Sequence, residues 1–170
     1  MKAITVYQPW ASLLACEIKR FETRGWATKY RGAIAIHAGK SQKYCGTRNY
    51  QDVLITASHF PKWVNYLSEC AKTLTHEIPF GAVIATAEIV GCYEIFEDRN
   101  CVPYIVKEGL APTVPTQDEV MFGDWTPGRY AWEMANVKVL ETPIYTRGMQ
   151  GLWNWTPPEG WSKGGNILCP

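Results

Sequence analysis

The chain has 170 residues, enough for one ordinary domain and too few for two with adequate cores. An apolar fraction of 46% and a charged fraction of 19% describe a globular chain and exclude wholesale disorder. The net charge of +1 hides an asymmetry, because residues 1–48 balance at +7 and the other 122 at −6.

Ala3 to Tyr7 is rich enough in β-branched residues to predict a strand. Gln8-Pro9-Trp10 then turns the chain into a short helix, with Pro9 at or near the first helical position, where its missing N–H costs nothing. Trp10, Leu13, Leu14 and Ile18 follow the helical stride and form one apolar face, with Trp10 its clearest core residue. Phe21 to Arg24 reads as a short strand stopped by Gly25. Ala33 to Ala38 is apolar on both faces and predicts a buried central strand. Helical spacing runs from Ser41 to Leu74, clearest where Pro61 opens a run with Trp63, Val64, Leu67 and Ala71. A long strand is expected from Ala82 to Ile95, with a bend or bulge at Gly91. Residues 97–129 are turn-rich, and the stretch around 97–127 reads as an excursion rather than a second core. Tyr130 to Leu140 alternates again, and Pro143-Ile144-Tyr145 resumes after a break. From Gly151 the tail is rich in Trp, Pro and Gly. Dispersed strands with helices between them predict one α+β domain over residues 1–170, a small barrel or strongly bent sheet with helices at its ends.

No run approaches the ~18–20 apolar residues of a membrane span, and Met1-Lys2 leads into a strand-like run instead of a signal peptide. The six cysteines, Cys16, Cys45, Cys70, Cys92, Cys101 and Cys169, contain no Cys-x-x-Cys. With His37, His59 and His76 equally scattered, neither a disulfide framework nor a metal site is expected. Reduced thiols in a cytoplasmic protein, with no metal or organic cofactor, is the resulting expectation.

The basic first third carries nine Lys/Arg against Glu17 and Glu22, which suggests a local anionic partner rather than a general polyanion coat. It is expected to fold into one electropositive face. Its densest part is Lys19-Arg20-Phe21-Glu22-Thr23-Arg24. Strand alternation puts Glu22 and Arg24 on one face and Thr23 on the other, and Lys19 can swing toward the first. Arg24 offers a planar fork for phosphate or a carbonyl edge, and Glu22 can hold that fork or accept from an amino group. A structural ion cluster is the competing reading of the same trio.

Trp10, Trp26 and Tyr30 flank the cluster, with Arg31 beside them, and aromatics interleaved with cations suit stacking on bases. Trp26, just past a glycine, is the better candidate for exposure. Glu88 sits mid-strand among apolar residues, so it either pairs with a base of the first third or lines a site. Glu133 poses the same question with less force. His37 reads as a satisfied structural histidine, and Arg147 to Trp153 as a glycine-bearing turn that seats Trp153 in the core.

Together, Tyr7-Gln8-Pro9-Trp10-Ala11-Ser12-Leu13-Leu14, Ile18 to Trp26 and Tyr30-Arg31-Gly32 resemble the activating signal cointegrator homology (ASCH) domain. The hallmark of that family is Gly-x-Lys-x-x-Glu-x-Arg, matched here by Lys19, Glu22 and Arg24. Gly81 to Ala85 and Gly128 to Trp155 look like later strands of the same family. Glu17 stands where the family usually has glycine, so a positive φ there would cost free energy.

The resemblance implies a PUA-like small mixed β-barrel with helices packed at its ends and the hallmark residues beside a cleft. Family members are linked to nucleic-acid binding, ribonuclease activity and hydrolysis of acetylated cytidine, and fold likeness does not choose among these. The favoured expectation is binding of RNA or a nucleotide, with DNA possible. Lys19, Glu22 and Arg24 would hold the ligand, with Trp10, Trp26, Tyr30, Arg31 and Glu88 around it. The alternatives are a metal-independent hydrolase of a modified nucleoside or of RNA, with Lys19 and Glu22 catalytic, and a protein-interaction adaptor. The small amidohydrolase members look like Lys-x-x-Thr, whereas Glu22 holds that position here and Thr23 is one residue away.

Overall fold

The computed structural model describes residues 1–74, 78–159 and 161. In chain order the elements are β1 (Lys2–Val6), α1 (Trp10–Ala15), β2 (Phe21–Arg24), β3 (Gly32–Ala38), α2 (Arg48–Ala57) and α3 (Pro61–Leu74). They continue with β4 (Ala82–Glu97), β5 (Pro103–Ile105), α4 (Gln117–Met121), β6 (Tyr130–Tyr145) and β7 (Leu152–Asn154). His76, Cys169 and most of the residues after Glu159 lie outside the described residues.

The strands form a mixed α+β sheet in the order β2-β6-β4-β3-β1-β7, with β5 added to the far end of β4. β1 and β3 run parallel, Lys2 opposite Ile34 through Val6 opposite Ala38, and the other pairings are antiparallel. Alternation along β3 explains why it is apolar throughout. Ile34 and Ile36 enter one core with Ile4, Ile84, Trp132 and the α1 residues Ala11 and Leu14. Ala35 enters a second, behind the sheet, with Ala3, Val83, Trp153 and Trp155. Each fully buried isoleucine contributes about 1.5–3 kcal/mol. On the outer side of α1, Leu13 meets Val53 and Ala57 of α2 and Trp63 of α3.

The expected barrel does not close. β2 and β1 are separated by β6, β4 and β3 in the sheet order, yet Arg24 Nη2 of β2 donates to the Thr5 carbonyl of β1 at 2.8 Å. The sheet therefore curls until those strands approach, and one side-chain bond stands where a barrel would have a backbone ladder. β2 is only four residues long and spends its ladder on β6. An open seam remains between β1 and β2, spanned in the chain by α1.

The curl is built into β4 and β6, both 16 residues long and paired through three register shifts. One lies at Gly91, where a Cβ would sit 2.2 Å from the Tyr93 hydroxyl, so only glycine lets the Tyr93 ring lie across the strand. The break expected after Leu140 is a bulge inside a continuous β6: Val83 pairs with Ile144 and Ala85 with Val139, which leaves extra β6 residues looped out.

The turn-rich stretch is packed into the body. Phe122 is fully buried, Trp125 meets Phe21 edge-to-face at 5.7 Å, and Ile105 lies in the same cluster as Trp125.

Candidate functional site

Local chain geometry delivers Lys19 to the seam. α1 ends in a left-handed residue, Glu17 at φ 56°, and the N–H groups of Ile18 and Lys19 both bond to the Leu13 carbonyl at 3.1 Å. This reversal is the usual way to satisfy the last carbonyls of a helix. Lys19 then precedes β2, and its side chain is 1% exposed.

Lys19, Glu22 and Arg24 converge in a cleft of about 530 Å³ in the seam. Glu22 Oε1 pairs with Arg24 Nη2 at 3.0 Å, and Glu22 Oε2 stands 3.8 Å from Lys19 Nζ. The second distance pairs charges but is too long for a hydrogen bond. Lys19 Nζ and Arg24 Nε are both buried and have no hydrogen-bond partner. Unsatisfied buried donors cost about 1–3 kcal/mol each, more when charged.

Burial pushes the Lys19 amine below its ordinary value, opposed by the charges of Glu22 and Glu119. Glu119, from α4, is a residue the sequence reading missed. Its carboxylate accepts the backbone N–H of Arg20 and, at 3.4 Å, that of Phe21, so it fixes the start of β2. Burial pushes its own carboxyl up, against the charge of Lys19 and the two backbone donors. The pattern Thr116-x-x-Glu119 resembles a helix capping box, and Thr116 does accept the Glu119 N–H at 3.2 Å. The Glu119 carboxylate goes to the strand instead of back to the cap.

Aromatic rings wall the cleft. Trp10 and Tyr7 both meet Tyr44 edge-to-face, at 5.4 and 5.1 Å. Trp10 is thus half in the core and half on the cleft rather than wholly interior. Trp26 is 39% exposed and stands on the fully buried Trp132, its ring perpendicular at 4.5 Å. The opposite wall comes from the turn-rich stretch, where Gly123 approaches so closely that a Cβ would lie 3.3 Å from Lys19 Nζ. Asp124 there pairs with Arg129 at 3.2 Å. Thr23 also reaches this wall, and its hydroxyl oxygen accepts the Asp124 N–H at 3.0 Å.

Other residues expected at the site stand outside it. Glu88 accepts from Asn136 Nδ2 at 2.8 Å, neither pairing with a base of the first third nor lining the cleft. Asn136 has φ 51°, which asparagine tolerates, and this turns its amide toward Glu88. The Tyr30 hydroxyl donates to the Ala33 carbonyl at 2.6 Å, and Arg31 donates to the carbonyls of Thr28 and Tyr30. Both bond within their own turn, and neither lines the cleft.

The basic first third sends its cations to more than one place. Of its nine cations, Lys19, Arg24 and Lys40 line the two clefts of the seam region, whereas Arg20 turns toward Glu133. Glu133 also accepts from Lys107 at 2.9 Å and from the Tyr93 hydroxyl at 2.9 Å. Arg129 and Arg147, from the acidic remainder of the chain, complete the cation set.

A second cleft adjoins the first, floored by His37, whose Nε2 lies 3.1 Å from the Thr146 carbonyl. Burial pushes the imidazole below its ordinary value, partly opposed by backbone hydrogen bonds, so the ring is neutral at pH 7 and Nε2 carries the donated proton.

A curled, open mixed sheet with a Lys-x-x-Glu-x-Arg run in its seam defines an α+β domain of the PUA-like kind. Residues 4–144 match the ASCH domain family model, and the chain belongs to that family. It is similar to the human protein Activating signal cointegrator 1, 28% identical over 111 residues, which cover 65% of this chain and 18% of that protein. The chain thus matches less than a fifth of that relative's length. Among the described residues, no helix is long and apolar enough to cross a membrane.

Proposed function

We propose that the seam cleft binds a nucleotide of RNA, with residues 1–170 acting as one domain in the cytoplasm. The observation that carries this reading is the pair of buried cationic donors, Lys19 Nζ and Arg24 Nε, without hydrogen-bond partners on the cleft wall. A ligand bearing phosphate or carbonyl oxygens would satisfy both. Glu22 holds the Arg24 fork in place and offers an acceptor to a base amino group. Tyr7, Trp10 and Trp26 supply ring faces and edges for a base, and a stacked base contributes about 1–3 kcal/mol. Membership of the ASCH family supports RNA as the source of that nucleotide. Calorimetric titration with the four ribonucleoside monophosphates tests the reading: at least one should bind wild type, and Lys19→Ala should weaken that binding by about 1–3 kcal/mol.

One observation favours a second reading, hydrolysis of a modified nucleoside. Glu22 Oε2 stands 3.8 Å from Lys19 Nζ, which sets a carboxylate suited to water activation beside an ammonium suited to oxyanion stabilisation. The Thr23 hydroxyl, the other candidate nucleophile, is held by the Asp124 N–H.

A further inference from the structure

We infer that the second cleft carries the chain of a single-stranded oligonucleotide onward from the nucleotide in the seam, so that the ligand is a strand and not a lone nucleotide. This rests on the reading of the seam cleft given above.

The two clefts are continuous. Tyr7, Arg24 and Trp26 line both, so a ligand held by Arg24 in the seam already touches the mouth of the second. The second is also about twice as large, roughly 1110 Å³ against 530 Å³.

Its charge is of one sign. Arg24, Lys40 and Arg147 line it, and no carboxylate does. Among the described residues, neither Lys40 nor Arg147 is paired with an acid, in contrast to Arg129 and Arg24 in the seam. Unpaired cations along a groove are what a phosphodiester backbone needs, since each neutralised phosphate releases its condensed counterion.

Its rings are available too. Tyr7 and Trp26 at the junction are 40% and 39% exposed, and Tyr145 on the second cleft is 64% exposed. Cations tracking a backbone between exposed aromatic platforms is the composition of sites that take single strands with little sequence preference. Backbone forms part of the wall between them. At Gly148 a Cβ would sit 2.4 Å from the His37 ring, so this stretch is closed by bare main chain lying on the imidazole.

The test compares ribonucleoside monophosphates with single-stranded RNA of mixed sequence, two, four and eight nucleotides long, by fluorescence anisotropy competition. Wild type should gain affinity from the monophosphate to the tetranucleotide. The double variant Lys40→Ala/Arg147→Ala should lose that gain, on the order of tenfold at about 0.1 M salt, and lower the slope of log K on log salt by about 0.7 per cation. Its affinity for the monophosphate should not change. Monophosphate binding with no gain for longer RNA, or a gain that survives in the double variant, overturns the strand path and leaves the seam reading standing. Failure of wild type to bind monophosphate and RNA alike removes both.

Discussion

Lys19 Nζ and Glu22 Oε2 stand 3.8 Å apart at the seam, near enough to balance charge and too far to share a hydrogen bond. A purely structural ion pair in so buried a place would close that gap, because desolvating both groups is repaid only by good geometry and full hydrogen bonding. Glu22 instead gives its short contact, 3.0 Å, to Arg24. The ammonium is left with charge compensation and unused donors. That combination favours a ligand-completed site over the self-satisfied ion cluster that the same three residues first suggest.

The turn before Lys19 makes a prediction about stability. Glu17 occupies φ 56°, a region that costs an L side chain roughly 1–2 kcal/mol and glycine far less. Its ion pair with Lys62, at 3.2 Å, is exposed on both sides and is worth little. Glu17→Gly should therefore stabilise the protein by about 0.5–1 kcal/mol, net of the extra chain entropy glycine loses. A urea midpoint that falls in Glu17→Gly would contradict this account of the cap.

The family resemblance singled out position 17 as one that usually holds glycine, and much else was readable from the sequence itself, for identifiable reasons. β3 declared itself because both faces are buried, and β2 because Phe21 to Arg24 is short, alternating and stopped by Gly25. The hallmark trio is local in sequence, so strand alternation for Glu22 and Arg24 and the turn before β2 for Lys19 could bring it together. Glu119, Gly123 and Arg129 are not local: α4 and the turn after it bring Glu119 to the start of β2 and the other two to the cleft, and no periodicity in a turn-rich stretch reports where it docks. Tyr30 and Arg31 misled for the opposite reason. Nearness to the trio in sequence suggested nearness in space, but the bonds of their own turn hold both away. Closure of the sheet was also beyond reach, since it depends on whether β2 finds a second partner, not on whether β2 is a strand.

Gly123 tests the wall built by the turn-rich stretch. An added Cβ would lie 2.9 Å from Trp125 Nε1, 3.2 Å from Thr23 Cγ2 and 3.3 Å from Lys19 Nζ. Trp125 cannot yield freely, because its indole N–H donates to the Glu119 carbonyl at 2.7 Å. Gly123→Ala should destabilise by about 1–3 kcal/mol, in the range of overpacked sites. It should also weaken ligand binding by shifting Lys19. Unchanged thermal stability and unchanged affinity would mean that the wall gives way.

Glu133 makes the pH prediction. Burial raises its carboxyl, but hydrogen bonds from Lys107 and Tyr93 and the charges of Arg20 and Lys107 outweigh that and hold it below 4.5. A carboxyl depressed on folding adds stability that is present above its unfolded value and lost as pH falls through the folded one. Glu133→Gln should therefore cost about 1.5–3 kcal/mol at pH 7, as for hydrogen bonds to a charged group. The gap between wild type and Glu133→Gln should narrow steadily below pH 4.5. Chemical denaturation of both proteins across that range measures it, and a gap that is constant with pH would rule the carboxylate out as the cause.

Binder and enzyme part company at Glu22. If the seam only binds, Lys19→Ala and Arg24→Ala should each weaken RNA affinity by about 1–3 kcal/mol, because each removes a cationic donor aimed at the ligand. Glu22→Gln should then be mild, since one amide oxygen still accepts from the Arg24 guanidinium. If the seam hydrolyses a nucleoside, Glu22→Gln deletes the base and should cut turnover by roughly 10²–10⁴ while binding stays nearly intact. Thr23→Val separates the remaining possibility, because the Thr23 hydroxyl is already bonded to the Asp124 N–H. It should cost a little stability and leave both affinity and turnover close to wild type. Turnover that survives Glu22→Gln and collapses in Thr23→Val would hand the chemistry to the hydroxyl. It would also mean that the Asp124 bond gives way when substrate enters the seam.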